Sequence, residues 1–142
     1  MSPEEKLHVK STWAMVVPIA DAAAALFYDR LFALDASLRP LFADTDMAEQ
    51  RRKLMQALAA VVNGLDNLEP LIPVLETLGR NHVRYGVIDR HYDTVGAALL
   101  WTLEQGLKDA WTPAAKAAWI TAYGTVAGVM RAAAASSAPA AA

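Results

Sequence analysis

The chain has 142 residues, of which 55% are hydrophobic, and a formal net charge of −2, so we expect one domain and no basic footprint for nucleic acid or an anionic membrane. It contains no cysteine, which excludes disulfides, thiolate metal sites and thiol catalysis. The first residues are acidic and polar, and no apolar run approaches membrane-spanning length, so we expect a soluble, cytoplasmic protein that does not enter a membrane.

The first third of the chain predicts two helices and a corner. Ser2-Pro3-Glu4-Glu5 supplies an N-cap, a first-position proline and a capping-box glutamate for a helix that runs to about Val17. Pro18 begins a second helix, and residues 35–42 predict one turn followed by a corner that Phe42 anchors. The apolar stripe of the second helix contains Ala24, Phe27, Tyr28, Leu31 and Phe32.

The third helix begins with a second capping-box pattern, Asp46-Met47-Ala48-Glu49, and ends at Asn63 before Gly64. Its apolar face consists of Leu54, Ala57, Leu58 and Val61. One turn before Leu54, the same face carries Gln50, so an amide heads an otherwise apolar stripe.

The second half predicts four more helices and a tail. A helix over about 68–78 is followed by a short histidine-bearing helix that Gly86 ends, and Asp89 caps the next one. Thr112-Pro113 begins the last helix. The residues expected to face inward are Tyr92, Val95, Leu99, Leu100 and Leu103, and then Ala117, Ile120, Tyr123, Gly124, Ala127 and Met130. The single domain covers 1–134, and 135–142 form an Ala/Ser/Pro-rich flexible tail.

These elements predict an all-α fold of seven or eight helices with no strand. A four-helix bundle uses fewer and longer helices, whereas these are unequal and several are short. Such helices suit steep crossing angles around a pocket.

Few residues offer chemistry. The chain has no Gly-rich phosphate loop, no nucleophile elbow and no His-Glu-x-x-His pair, which argues against hydrolase chemistry. His82 and His91 are nine residues apart without a cysteine, which argues against zinc. His82 near a helix end suits a single metal-ligand bond, although a surface histidine at a helix C-terminus is the alternative. Tyr28 alone is typical of a core aromatic, but Tyr28, Gln50 and His82 together describe a pocket.

The chain resembles the globin superfamily, and more narrowly single-domain bacterial globins of the flavohaemoglobin and neuroglobin-like lineage. The resemblance covers about residues 4 to 131, because several motifs agree in order and spacing. These motifs are Phe27-Tyr28-Asp29-Arg30-Leu31-Phe32, Leu41-Phe42, Gln50-Arg51-Arg52-Lys53-Leu54, Gly79-Arg80-Asn81-His82-Val83-Arg84-Tyr85-Gly86-Val87, Tyr92-Asp93-Thr94-Val95-Gly96, Thr112-Pro113-Ala114-Ala115-Lys116-Ala117-Ala118-Trp119 and Ala122-Tyr123-Gly124.

The resemblance implies a b-type haem whose iron His82 binds as the proximal ligand. It also implies roles for six other residues: Phe42 packs on the porphyrin, Tyr28, Gln50 and Leu54 face the distal site, Lys53 reaches a propionate, and Tyr92 matches a tyrosine that braces the histidine.

Two departures from the family pattern refine this expectation. Neuroglobin has a histidine where this chain has Gln50, so the sixth iron position should be open. In flavohaemoglobins a glutamate also braces the proximal histidine, but its position aligns with Ala134, and no Asp or Glu follows Asp109. We therefore expect no peroxidase-like push on bound oxygen. The 142 residues do not include the flavohaemoglobin reductase domain, so electrons would come from a separate partner.

The predicted function is tight binding of O₂, because Tyr28 and Gln50 are donors that stabilise a partly charged O₂ more than CO. This favours scavenging, sensing or NO dioxygenation over oxygen delivery, in a monomer whose ligands are O₂, NO or CO. Two alternatives are a haem-free signalling or scaffold module and an electron-transfer haem with two strong protein ligands.

Overall fold

The computed structural model describes residues 1–137, which form six α-helices joined by short 3₁₀ turns and contain no strand. The helices are α1 Pro3–Val16, α2 Ala20–Leu34, α3 Met47–Asn63, α4 Ile72–Arg84, α5 Asp89–Leu107 and α6 Pro113–Ser137. The 3₁₀ turns are Val17–Ile19, Ala36–Phe42, Glu69–Leu71 and Lys108–Ala110. The predicted all-α class is confirmed, but two helices expected on either side of Leu78 are the single helix α4.

The starts of α1 and α3 follow the local signals. The Ser2 hydroxyl accepts from the Glu5 N–H over 3.1 Å while the Glu5 carboxylate accepts from the Ser2 N–H over 3.0 Å, which confirms the predicted capping box. The Asp46 carboxylate accepts from the N–H groups of Ala48 and Glu49, although the Glu49 carboxylate binds Arg52 instead of completing a box. α3 ends as predicted, with Gly64 as its C-cap.

The start of α5 differs from the prediction. Asp89 is the first helical residue and not the cap, because Ile88 occupies the N-cap position. The Ile88 N–H is instead accepted by Nδ1 of His91 over 3.1 Å. His91 is 6% exposed, so this histidine is a buried capping group rather than a ligand candidate.

The inward face of α6 also differs. Ile120 was expected in the core but is 49% exposed, and Ala117 and Gly124 are exposed as well. The buried residues of α6 are Ala115, Ala118, Trp119, Ala122, Ala127 and Ala133. Trp119 sets this register, because its indole N–H donates to the Thr12 hydroxyl over 2.8 Å inside the core.

The predicted flexible tail is only partly described. α6 continues through 135–137, the first three residues of that tail. The remaining residues, 138–142, lie outside the described part of the chain, so the flexible tail stays a prediction.

α3 and α4 pack against different helices. α2 packs on α5, α1 and α4 both pack on α6, and α3 packs on α2 and α1. α3 and α4 do not pack along each other. The main core consists of Val9, Trp13, Val16, Ala23, Phe27, Tyr28, Leu31, Leu38, Val62, Leu65, Ala98, Leu99, Leu103, Leu107, Ala118, Trp119 and Ala122.

One stretch is more apolar than expected. Pro3–Leu34, which spans α1 and α2, contains a window long and apolar enough to cross a membrane by length and composition. The expectation that no run approaches this length is therefore wrong. In the folded chain the inward residues of this stretch, among them Val9, Val16 and Phe27, belong to the main core.

Candidate functional site

Both the ring and the backbone carbonyl of His82 form hydrogen bonds. Its ring Nδ1 lies 2.5 Å from the carbonyl oxygen of Leu78, one turn earlier in α4. Its own carbonyl accepts from the Val87 N–H over 3.0 Å, while Gly86, at φ +88°, donates to Val83 over 3.1 Å. These two bonds form a Schellman motif and confirm the left-handed glycine expected after this helix.

The bond to Leu78 decides which nitrogen of His82 is available. A carbonyl only accepts, so Nδ1 carries a proton, and in the neutral tautomer this leaves the lone pair of Nε2 available. A neutral imidazole held in one orientation by its second nitrogen is the usual form of a metal-binding histidine. The side chain is half-buried, and the nearest aromatic ring is that of Tyr85, with centroids 6.5 Å apart.

Tyr28, Gln50 and Phe42 meet on the other side of the candidate site. The Gln50 amide in the first turn of α3 donates to the Tyr28 hydroxyl in α2 over 3.2 Å. The Phe42 ring packs edge-on against Tyr28, with centroids 5.7 Å apart. Burial raises the pKa of the Tyr28 phenol, and the Gln50 hydrogen bond only partly opposes this. The phenol therefore keeps its proton at neutral pH.

The 3₁₀ turn Ala36–Phe42 connects these two groups. Phe42 belongs to the aromatic cluster around Tyr28, whereas Leu41 lies against Gly86 at the end of the histidine helix. A Cβ built on Gly86 would lie 3.1 Å from the Leu41 side chain. The corner predicted from sequence therefore joins the Tyr28 side to the His82 side.

The remaining predicted site residues are Lys53, Leu54 and Tyr92. Lys53 is exposed and forms no ion pair within residues 1–137. Leu54 is half-buried and lines a small apolar cavity together with Phe27 and Leu58. Tyr92 is 7% exposed, and its hydroxyl has no hydrogen-bond partner in the described part of the chain.

Sequence reasoning missed two residues near the site. Gly79, one turn before His82, is buried where α4 meets α6, and a Cβ there would lie 2.9 Å from the Met130 Cα and closer still to its carbonyl oxygen. Arg131 lies on the ring of Tyr92. A glycine within a helix signals a close backbone approach, but no local pattern indicates the position of Arg131.

Most side chains of α3 and α4 are left only partly covered by the rest of the fold. α3 buries only Val62, and α4 buries only Leu75 and Gly79, whereas α5 buries eight residues. The predicted site residues Phe42, Gln50, Leu54 and His82 are all half-buried. Apolar side chains left half-covered on two helices that do not pack together are typical of a ligand pocket. With one imidazole Nε2 available, these residues fit a haem bound through His82.

Comparison with known proteins identifies the family of the chain. The family model described as Globin matches residues 25–130. A flavohemoprotein of Bacillus subtilis is 34% identical over 121 residues, which cover 84% of this chain and 30% of that protein. A flavohemoprotein of Bordetella parapertussis is 33% identical over 132 residues, which cover 92% of this chain and 33% of that protein.

A third flavohemoprotein, from Vibrio cholerae, is 32% identical over 117 residues, or 81% of this chain and 30% of that protein. This chain therefore spans about a third of the length of these relatives. The matched region includes Tyr28, Gln50, His82 and Tyr92.

Proposed function

The chain belongs to the globin family and is a haem-binding protein related to flavohemoproteins, and we propose that it binds O₂ tightly at a b-type haem and uses it to oxidise NO to nitrate. The observation that carries this proposal is the hydrogen bond between Gln50 and Tyr28. Scavenging or sensing of O₂ would draw on the same tight binding.

His82 would hold the haem through Nε2, and its Nδ1 bond to the Leu78 carbonyl fixes the orientation of the ring. The haem iron, when bound, supplies the site for O₂, NO or CO and the electron density that makes an O₂ ligand partly anionic. Phe42 would pack on the flat face of the haem, and Lys53, which is exposed, would reach a propionate.

The Tyr28 hydroxyl is the principal donor to the ligand. Because its oxygen already accepts from Gln50, its own proton is available to a second acceptor. A donor that accepts a hydrogen bond is polarised by it and donates more strongly. Gln50 therefore assists Tyr28, and its second amide N–H is also available. One such bond to a partly charged acceptor slows dissociation by about tenfold to a hundredfold.

The reaction NO + O₂ + one electron gives nitrate, so continuous turnover needs an electron donor. We propose that a separate reductase supplies the electron, and that the protein acts as a cytoplasmic monomer. The relatives' name, flavohemoprotein, joins a flavin to a haem, which supports a flavin-dependent donor. The absence of cysteine from the chain is compatible with a reducing compartment.

Two measurements test the proposal. Absorption spectra of the purified ferrous protein before and after CO should show a haem whose sixth position is open. NO consumption in air-saturated buffer, with NADPH and a flavin reductase, should yield one nitrate per NO and should stop when the reductase is omitted. Consumption no faster than with free haem and the same reductase would contradict NO dioxygenation.

A further inference from the structure

Arg131, in the second half of α6, binds two carboxylates in the first two turns of α5. Its guanidinium donates to the Asp93 carboxylate over 2.7 Å, and its Nε lies 3.3 Å from the Asp89 carboxylate. The guanidinium carbon lies over the ring of Tyr92, 5.2 Å from its centroid. A cation within about 6 Å of an aromatic face is attracted by the ring and polarises it.

The cation is the better-shielded member of this cluster. The Arg131 side chain is 33% exposed, whereas those of Asp89 and Asp93 are 82% and 80% exposed. Solvent screens the two carboxylates more strongly than the guanidinium. The charge that lies over the buried Tyr92 ring is therefore the least exposed of the three, that of the Arg131 guanidinium.

Tyr92 is the aromatic residue that the Arg131 guanidinium contacts. Its phenol is buried and its hydroxyl has no partner in residues 1–137. Burial raises the pKa of Tyr92, the Arg131 charge lowers it, and the Asp89 charge raises it. The effects of Arg131 and Asp89 on this one group have opposite signs.

The same part of α6 also touches the histidine helix. Met130, the residue before Arg131, presents its backbone to Gly79. Gly79 precedes His82 by one turn of α4, a rise of about 4.5 Å along the helix axis. The Met130 backbone thus lies against α4, the helix that carries His82. The next residue, Arg131, lies against Tyr92 of α5.

We propose that Arg131 is a positioning residue which gives the His82 side of the haem pocket a positive local charge and so favours the ferrous haem. This rests on the proposed function only in that His82 ligates the haem. A nearby cation stabilises the iron state of lower charge. Arg131 lies one turn before Ala134 on α6, so the helix places a cation beside Tyr92 where a bracing carboxylate is missing.

Spectroelectrochemical titration of the haem protein tests the sign of this effect. Arg131→Gln should lower the ferrous-to-ferric ratio at a fixed potential by about threefold or more, whereas Asp89→Asn should raise it. Arg131→Lys keeps the charge and should stay close to the wild type. The alternative is that the ion pairs only hold α5 and α6 together. In that case Arg131→Gln and Asp89→Asn weaken the same contact, and both should shift the ferrous-to-ferric ratio in the same direction. That result would overturn the proposal.

A second readout does not depend on redox chemistry or on O₂ affinity. In the ferrous CO form labelled with ¹³C at tyrosine Cζ, the NMR titration of Tyr92 can be assigned by its loss in Tyr92→Phe. Arg131→Gln should raise the pKa of Tyr92 and Asp89→Asn should lower it. An unchanged pKa of Tyr92 in both variants would refute the electrostatic role of Arg131, even if the protein binds O₂ tightly. Weak O₂ binding would contradict the proposed function but would not affect this measurement.

Discussion

The Gln50 amide donates to the Tyr28 hydroxyl over 3.2 Å, from the first turn of α3 to the middle of α2. Because Gln50 polarises Tyr28, we expect Tyr28→Phe to accelerate O₂ dissociation by about tenfold or more, and Gln50→Leu by a smaller factor. CO dissociation should change much less, since CO carries little negative charge. Stopped-flow replacement of O₂ by CO measures both rates.

The double variant Tyr28→Phe/Gln50→Leu shows whether Gln50 acts through Tyr28 or donates to the ligand itself. If Gln50 acts through Tyr28, the effect of Gln50→Leu should largely disappear in the Tyr28→Phe background. Additive effects would mean that each side chain donates to the ligand independently. Release of O₂ from Tyr28→Phe at the wild-type rate would remove the case for tight O₂ binding.

His82→Ala should abolish stable haem retention, because the variant loses the only imidazole placed on the α4 side of the pocket. His91→Gln is the matched control: His91 caps α5 from a buried position, and glutamine keeps an acceptor for the Ile88 N–H. Haem transfer to apomyoglobin, followed by absorption, measures retention. A five-coordinate histidine-ligated spectrum in His82→Ala would show that another residue binds the iron.

Two glycines should respond to alanine with opposite signs. Gly79→Ala places a Cβ against the Met130 backbone, so α4 must move, and we expect a loss of about 1–3 kcal/mol and faster haem loss. Gly128→Ala meets nothing within 4 Å in the middle of α6 and should stabilise by about 0.5–1 kcal/mol. Urea unfolding of both variants provides the measurement. Equal stability of Gly79→Ala and the wild type would argue against the close helix contact.

Lys108, the C-cap of α5, has φ +51° and ψ −115°, a conformation that side chains with a Cβ rarely adopt. Lys108→Gly should relieve this strain and increase the free energy of unfolding by about 1 kcal/mol, less the entropy cost of glycine in the unfolded chain. Lys116→Gly, at an exposed position within α6, should instead lower the stability. A lower melting temperature for Lys108→Gly would contradict the strain.

Stability should fall above pH 10. Burial raises the pKa values of the phenols of Tyr28, Tyr92 and Tyr123 above the ordinary value near 10. Below pH 10 both the folded and the unfolded chain keep these protons, but above it only the unfolded chain releases them, so unfolding becomes easier as pH rises. Urea midpoints between pH 8 and 11 measure this slope, which Tyr123→Phe should reduce and Tyr85→Phe, at an exposed position, should leave unchanged.

Local chemistry explains which parts of the fold were predictable. The caps at Ser2 and Asp46 and the glycine stop at Gly86 depend on residues within one turn, and each lies where the sequence indicated. The division of α4 and the inward face of α6 were wrong because both depend on distant partners. Gly79 remains helical against the Met130 backbone, and Trp119 turns inward to reach Thr12.

The candidate site divides in the same way. The i, i+4 bond from His82 to Leu78 is local, and the apolar stripe of α3 placed Gln50 on the correct face to meet Tyr28. Arg131 was not predicted, because its role depends on where the ends of α5 and α6 meet. The chemical roles of all the predicted site residues stay predictions, namely those of Tyr28, Phe42, Gln50, Lys53, Leu54, His82 and Tyr92.

The separate packing of α3 and α4 has a consequence for how the haem enters and leaves. α4 is held by α6 and buries only two of its residues, whereas α5 buries eight against α2 and its neighbours. Amide hydrogen exchange in the haem-free protein should therefore be faster in α3 and α4 than in α5. Local opening of α3 or α4 would then expose the pocket while the α2–α5 core remains folded, so we expect haem exchange without global unfolding.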